Sequence, residues 1–122
     1  MIMGRSIGTG VAVQVAALRN PSALIMISPF TSIKDVAKHL FGNLSCVVKE
    51  RFKSVEYAKN VTCPTLIIHG KLDTLIPYTQ GEELSKLIVN CKFECPPMMD
   101  HNRMSLNEIK SLIRKFMSDN EL

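Results

Sequence analysis

Two short, almost unbroken apolar runs constrain this chain most. Residues 23–28 read ALIMIS and residues 65–69 read TLIIH. Neither run alternates apolar with polar residues, so neither offers a face to water. Strands of this kind are buried on both sides, as in a parallel sheet covered by helices. Pro29 ends the first run, and Pro64 and Gly70 bracket the second.

Helical spacing fills the stretches between. Ile7, Val11, Val15 and Leu18 recur at three and four residues, among small Gly8, Thr9, Gly10, Ala12 and Ala16, until Asn20-Pro21 stops the pattern. Small residues suit a helix lying close on a sheet. Thr31 or Ser32 can cap a second helix running to about Leu44, with Val36, Leu40 and Leu44 on one face and Asp35 near its start. Residues 46–62 read as irregular to helical, with Ser54 capping a short turn that holds Val55, Tyr57 and Ala58. Pro77 opens a helix carrying Leu84, Leu87 and Ile88. The alternating segment CKFEC, residues 91–95, reads as an edge strand with Lys92 and Glu94 on one face. Ser105-Leu106-Asn107-Glu108 is a capping box before a last helix with Leu106, Ile109, Leu112, Ile113, Phe116 and Met117 on one side.

Helices and strands therefore alternate, which predicts an α/β fold with a mostly parallel sheet and right-handed crossovers. A chain of 122 residues holds one small domain, and 46% apolar content sets disorder aside. The net charge of +4 is scattered. Its densest runs, Lys49, Arg51, Lys53 and Lys110, Arg114, Lys115, read as solvated helix faces. The lack of Trp argues against a base-stacking surface, so no nucleic-acid partner is expected. No run approaches the ~20 apolar residues of a membrane span, and no signal peptide opens the sequence. The expected location is cytoplasmic or peripheral to a membrane. Cys46, Cys63, Cys91 and Cys95 contain no C-x-x-C pair and read as reduced thiols. Cys91, Cys95 and His101 could group around a metal, but half-buried free thiols are the better reading; no metal or cofactor is expected. Glycosylation matches at Asn43-Leu44-Ser45 and Asn60-Val61-Thr62 read as chance.

The chemistry lies at three places. Gly4-Arg5-Ser6-Ile7-Gly8 is a G-x-S-x-G followed at once by a helical pattern. That setting belongs to a strand–turn–helix elbow that presents a nucleophilic serine. Both glycines are expected to avoid collisions with the neighbouring strand and helix. A serine hydroxyl needs a base, and the base needs an orienting group. His39 falls within a helix, and His69 ends a strand where a structural hydrogen bond is the better reading. His101 lies in the loop after the CKFEC strand. Asp73 follows the second run; Asp35 competes with it, and Asp100 is too near His101 in sequence to aim at its ring. Ser6, Asp73 and His101 each follow a predicted parallel strand, the edge where ligands gather in open α/β sheets.

The stretches GRSIGTG, SPFTSI, CPTLIIHGKLDTLIP and DHNRM resemble the C-terminal half of an α/β-hydrolase-fold serine hydrolase. The subgroup most similar includes membrane-associated protein depalmitoylases and lysophospholipid lipases. The resemblance implies Ser6 as nucleophile, Asp73 as acid and His101 as base. It implies the Ile7 N–H as an oxyanion-hole donor, and an acyl ester or thioester as substrate. Residues 1–122 would run from the nucleophile elbow to the last helix, leaving three to four parallel strands with the N-terminal half of the sheet missing. Met1 to Met3 would be a stub of a strand, and the second oxyanion donor, from a loop after the family's third strand, would be absent. The family often has Gly before the catalytic His and Asp after its Asn; Asp100 and Arg103 stand here instead.

Membrane-surface contact is implied for the parent protein. Three readings follow. One is a working serine hydrolase. Another is a non-catalytic fragment or interaction module, whose open sheet edge invites self-association. The third is a nucleotide-binding domain using GRSIGTG as a phosphate turn, against which stand the wrong glycine spacing and the lack of a following P-loop lysine.

Overall fold

A computed structural model describes residues 1–42 and 52–122. Its elements run β1 (Ile2–Arg5), α1 (Gly8–Arg19), β2 (Leu24–Ile27), α2 (Ile33–Phe41), α3 (Ser54–Ala58), β3 (Thr65–Ile68), α4 (Tyr78–Leu87), β4 (Cys91–Glu94) and α5 (Leu106–Asp119). The four strands form one sheet in the order β1-β2-β3-β4, and every pair is parallel.

The register aligns the carboxyl ends. Arg5 lies opposite Ile27, Ile27 opposite Ile68, and Ile68 opposite Glu94. One more rung follows in each pair. The N–H groups of Ser6, Ser28 and His69 donate to the carbonyls of Ile27, Ile68 and Glu94, at 2.9, 2.8 and 3.0 Å. Beyond that rung, Ser6 and Ser28 turn left-handed, with φ of 50° and 52°.

Alternate residues of each central strand serve two cores. Leu24, Met26 and Ile67 pack with Ala12, Val13, Ala16, Ala58 and Leu84, so α1, α3 and α4 cover one face. Ile25, Ile27, Leu66 and Ile68 pack with Met99, Ile109 and Phe116, which places α5 on the other. Both faces are apolar, which is why these strands lack a polar alternation. The edge strand β4 is half-buried throughout, and Lys92 pairs with Glu94 at 3.4 Å and Asp119 at 3.6 Å.

The structure refines several expectations. β1 is a full four-residue strand laddered to β2, rather than a stub ending at Met3. In α1 the small side packs on the sheet, and Val11, Val15 and Leu18 face outward. A large residue on the inner side would hold the helix off the sheet. Ser32, not Thr31, caps α2, accepting from the Asp35 N–H at 3.1 Å. That helix ends at Phe41. Leu44, Cys46, Lys49, Arg51 and the Asn43-Leu44-Ser45 match lie outside the described residues. Ser105 caps α5 by accepting from the Glu108 N–H at 3.3 Å, while Leu106 is exposed. Cys63, Cys91 and Cys95 are free thiols, and burial pushes Cys91 up to about 12. Among the described residues, no helix is long and apolar enough to cross a membrane.

The two motif glycines differ. A Cβ at Gly4 would lie 2.7 Å from the Gly8 carbonyl oxygen and 2.8 Å from the Ala12 Cβ. At Gly8 it would meet nothing within 4 Å. The expected steric role therefore holds at Gly4 and not at Gly8, because the near side of the helix turn there faces open space. Gly4→Ala should destabilise by about 1–3 kcal/mol through overpacking. Gly8→Ala should change stability by less than about 1 kcal/mol, with helix propensity favouring alanine. Thermal unfolding of both variants beside the parent chain checks this pair.

Candidate active site

Ser6 is the first residue beyond β1, and its left-handed backbone is uncommon for a residue with a side chain. Such a conformation costs about 1–2 kcal/mol and persists where neighbouring contacts impose it. Three contacts do so. The Ser6 N–H is held by Ile27, and the Ser6 carbonyl accepts from the Thr9 N–H at 3.0 Å and the Thr9 hydroxyl at 2.6 Å. With its backbone tied on both sides, the residue carries its hydroxyl off the end of the sheet. Helix α1 starts two residues later with no side-chain cap and no acidic residue in its first turn. Its N-terminal partial positive charge therefore lies beside Ser6.

Asp73 sits in the turn between β3 and α4, with its side chain fully buried. This turn is anchored to the loop after β4. The Lys71 and Leu72 N–H groups donate to the Pro96 and Met99 carbonyls, both at 3.0 Å. Gly70 lets the two segments touch, since a Cβ there would strike the Met99 carbonyl. Asp73 Oδ1 accepts from the Leu75 and Ile76 N–H groups at 3.0 and 2.8 Å. Its Oδ2 accepts from His101 Nδ1 at 2.8 Å. Burial works to raise the Asp73 pKa, but donation from His69, Ile76 and His101 outweighs it and lowers the group from 3.8 to about 2. The His69 share is the weaker one geometrically, because its Nε2 donates to the Ile76 carbonyl at 2.8 Å and lies 3.5 Å from Asp73.

His101 completes the line. Its Nε2 lies 3.1 Å from Ser6 Oγ. With the Nδ1 proton directed at Asp73, Nε2 is free to accept from the hydroxyl. The structure thus brings Ser6, His101 and Asp73 into one hydrogen-bonded chain from residues 95 and 28 positions apart. The rival groups lie elsewhere. Asp35 accepts from the Thr31 hydroxyl at 2.6 Å. Asp100 turns into its own loop, accepting from the Asn102 and Arg103 N–H groups at 2.9 and 2.6 Å. His39 bonds the Thr74 carbonyl at 2.9 Å, and buried His69 makes the structural hydrogen bond to Ile76. Ile7, between Ser6 and α1, places its N–H directly after the serine.

One contact has no signal in the sequence. Arg5 Nη2 donates to the His101 carbonyl at 2.8 Å. Arg5 occupies an unconstrained position of the motif, and only the fold reveals what it reaches.

Two cavities touch this site, one lined by Ser6 and the other by His101. The one beside Ser6, about 150 Å³, is apolar and lined by Ile7, Phe30, Ile33, Val36, Leu75 and Ile76. The second, about 310 Å³, is bounded by His101 with Leu72, Thr74, Leu75, Asp100, Asn102 and Arg103.

No family model matches the chain. It is 33% identical over 122 residues to the uncharacterized protein Rv2307c of Mycobacterium tuberculosis, covering 95% of this chain and 43% of that one. It is 34% identical over 111 residues to the lysophosphatidylserine lipase ABHD12 of Danio rerio, covering 75% and 29% respectively. The chain therefore spans less than half the length of either relative. Among solved structures, Est1E from Butyrivibrio proteoclasticus superposes with a TM-score of 0.77 at 22% identity, covering 97% of this chain and 59% of that one. Acetyl xylan esterase 1 from Thermoanaerobacterium superposes at 0.70 and 20% identity, covering 97% and 44%. With its parallel sheet, the elbow after β1 and these relatives, the chain has the α/β-hydrolase fold.

Proposed function

We propose that this chain carries the catalytic centre of a serine hydrolase acting on carboxylic esters or thioesters. The observation that supports this reading is the continuous line from Ser6 Oγ through His101 to Asp73, with gaps of 3.1 and 2.8 Å. A hydroxyl, an imidazole and a carboxylate in that order form a nucleophile, a base and an orienting group.

Ser6 attacks the acyl carbon while His101 Nε2 takes its proton. Asp73, held ionised by its donors, stabilises the imidazolium. The Ile7 N–H, reinforced by the positive end of α1, donates to the oxygen that becomes negative. His101 then protonates the leaving oxygen or sulfur, and an acyl-Ser6 ester remains. Water, deprotonated by His101, releases the acid and restores the serine.

Substrate orientation follows from which group His101 must reach. The leaving group takes its proton from Nε2, so it belongs on the His101 side, in the polar cavity. The acyl part then lies in the apolar cavity beside Ser6 and Ile7. The names of two similar proteins, a lysophosphatidylserine lipase and an acetyl xylan esterase, agree with ester chemistry.

A specific observation also favours association through the open side of the sheet. β1 is an edge strand among the described residues, and Met1 and Met3 are each 60% exposed there. An apolar strand edge of this kind pairs readily with another chain.

The catalytic reading has a direct test. A fluorophosphonate probe should label the chain, Ser6→Ala should abolish labelling, and His101→Ala should slow it at least about a thousandfold. Failure of the parent chain to label would overturn the reading.

Asp73 gives a separate prediction in acid. Its folded pKa is depressed, so its contribution to stability is complete above its ordinary value of 3.8 and is lost as pH falls toward about 2. Asp73→Asn should be less stable than the parent chain at pH 6, and the gap should close between pH ~4 and ~2. Urea midpoints across that range measure it.

A further inference from the structure

We propose that Arg5 is a positioning residue that sets the imidazole of His101 by holding its main chain. The inference rests on the reading of Ser6, His101 and Asp73 as a triad, and it adds a fourth residue to that constellation.

The loop that carries His101 is the reason such a residue is needed. No regular element runs between β4 and α5. Asp100 folds the segment onto itself. Its carboxylate accepts from the Asn102 and Arg103 N–H groups, and its own N–H donates to the Arg103 carbonyl at 3.3 Å. These bonds shape the turn but do not orient it on the sheet. From Asp100 to Met104, the hydrogen bonds that reach other parts of the molecule, among the described residues, are all made by His101. Two belong to its ring and one to its carbonyl. The carbonyl bond, from Arg5 Nη2 at 2.8 Å, is the only one that holds the backbone of the base rather than its ring.

Arg5 is well placed to do this. It ends β1, where the ladder to β2 fixes its backbone, and it immediately precedes Ser6. Gly4 faces α1, whereas Met3 and Arg5 project to the opposite side and, with Asn102 and Met104, border the groove under α5. The Arg5 side chain crosses the top of that groove to the His101 carbonyl. The nucleophile and the anchor of its base are thus adjacent residues of one strand. A displacement of about 1 Å in a reacting pair costs on the order of a hundredfold in rate, so one such anchor suffices to matter. A solvated surface arginine is the ordinary alternative at an exposed position. It differs in having no fixed partner, whereas this guanidinium makes a short, charge-assisted bond across 96 residues of sequence.

The test uses the complete chain and the variants Arg5→Gln and Arg5→Lys. Three quantities are measured: the rate of fluorophosphonate labelling at Ser6, the unfolding temperature, and the ring resonances of a ¹⁵N-histidine-labelled sample. With three histidines in the chain, each ring can be followed. Arg5→Gln should slow labelling about 10–100-fold. The unfolding temperature should stay within a few degrees, as for surface substitutions. The His101 ring signals should shift or broaden while those of His39 and His69 hold. Arg5→Lys, which keeps the charge but not the planar fork, should recover part of the rate. Labelling of Arg5→Gln within about twofold of the parent rate would overturn the inference, as would an unchanged His101 spectrum. If the parent chain is not labelled at all, the triad reading fails, and the His101 spectrum still decides whether Arg5 positions that ring.

Discussion

The site hangs on the last rung of a parallel ladder. Ser6, Ser28 and His69 each donate a backbone N–H to the strand beside them, one step past a row formed by Arg5, Ile27, Ile68 and Glu94. That rung sets how far each strand runs before the chain departs from it. Were β1 one residue longer relative to β2, Ser6 would enter the sheet as a pleated residue and its hydroxyl would point to a face rather than off the end. The left-handed turn at Ser6 has meaning only because the rung before it is closed. The loops bearing Asp73 and His101 also start from this row, so their reach is measured from a common line.

Charge is arranged around that line with little redundancy. Asp73 is buried, which by itself would favour its neutral form, yet three N–H groups donate to its two oxygens. Two come from its own turn and hold Oδ1. The third is His101, at Oδ2, while the His69 ring stands 3.5 Å from the same oxygen and bonds the Ile76 carbonyl instead. The carboxylate is therefore both ionised and aimed, and the turn that ionises it is itself locked to the Met99 segment. Helix α1 adds a second field, since its uncapped N-terminus opens beside the serine. The fold alone orients these groups, through the hydrogen bonds of the Asp73 turn and the start of α1.

Much of this architecture is legible from residue order alone. ALIMIS and TLIIH declare doubly covered strands because their side chains serve two cores in alternation. The helices declare themselves through spacing and through Ser32 and Ser105 at their starts. Ser6, Asp73 and His101 are legible because each follows a strand and because few other groups compete. What escapes is whatever depends on distance in space. The outward stripe of α1 is as apolar as a core stripe, and only the closeness of Gly4 and Ala12 shows which side meets the sheet. Gly8 has the same motif status as Gly4 but no neighbour to avoid. β1 has too few preceding residues for its pairing to be read from the sequence. Arg5 is the extreme case, since nothing local to it hints at a partner in the loop of His101.

The bond from Arg5 to that loop has a geometric consequence. Arg5 and Ser6 are consecutive residues at the end of β1. One reaches the main-chain carbonyl of His101 at 2.8 Å, and the other lies 3.1 Å from its ring. The end of a single strand therefore meets the histidine at two points, and the buried carboxylate of Asp73 meets it at a third. Three contacts from two distant turns fix both the backbone and the ring of one residue, although no regular element carries it.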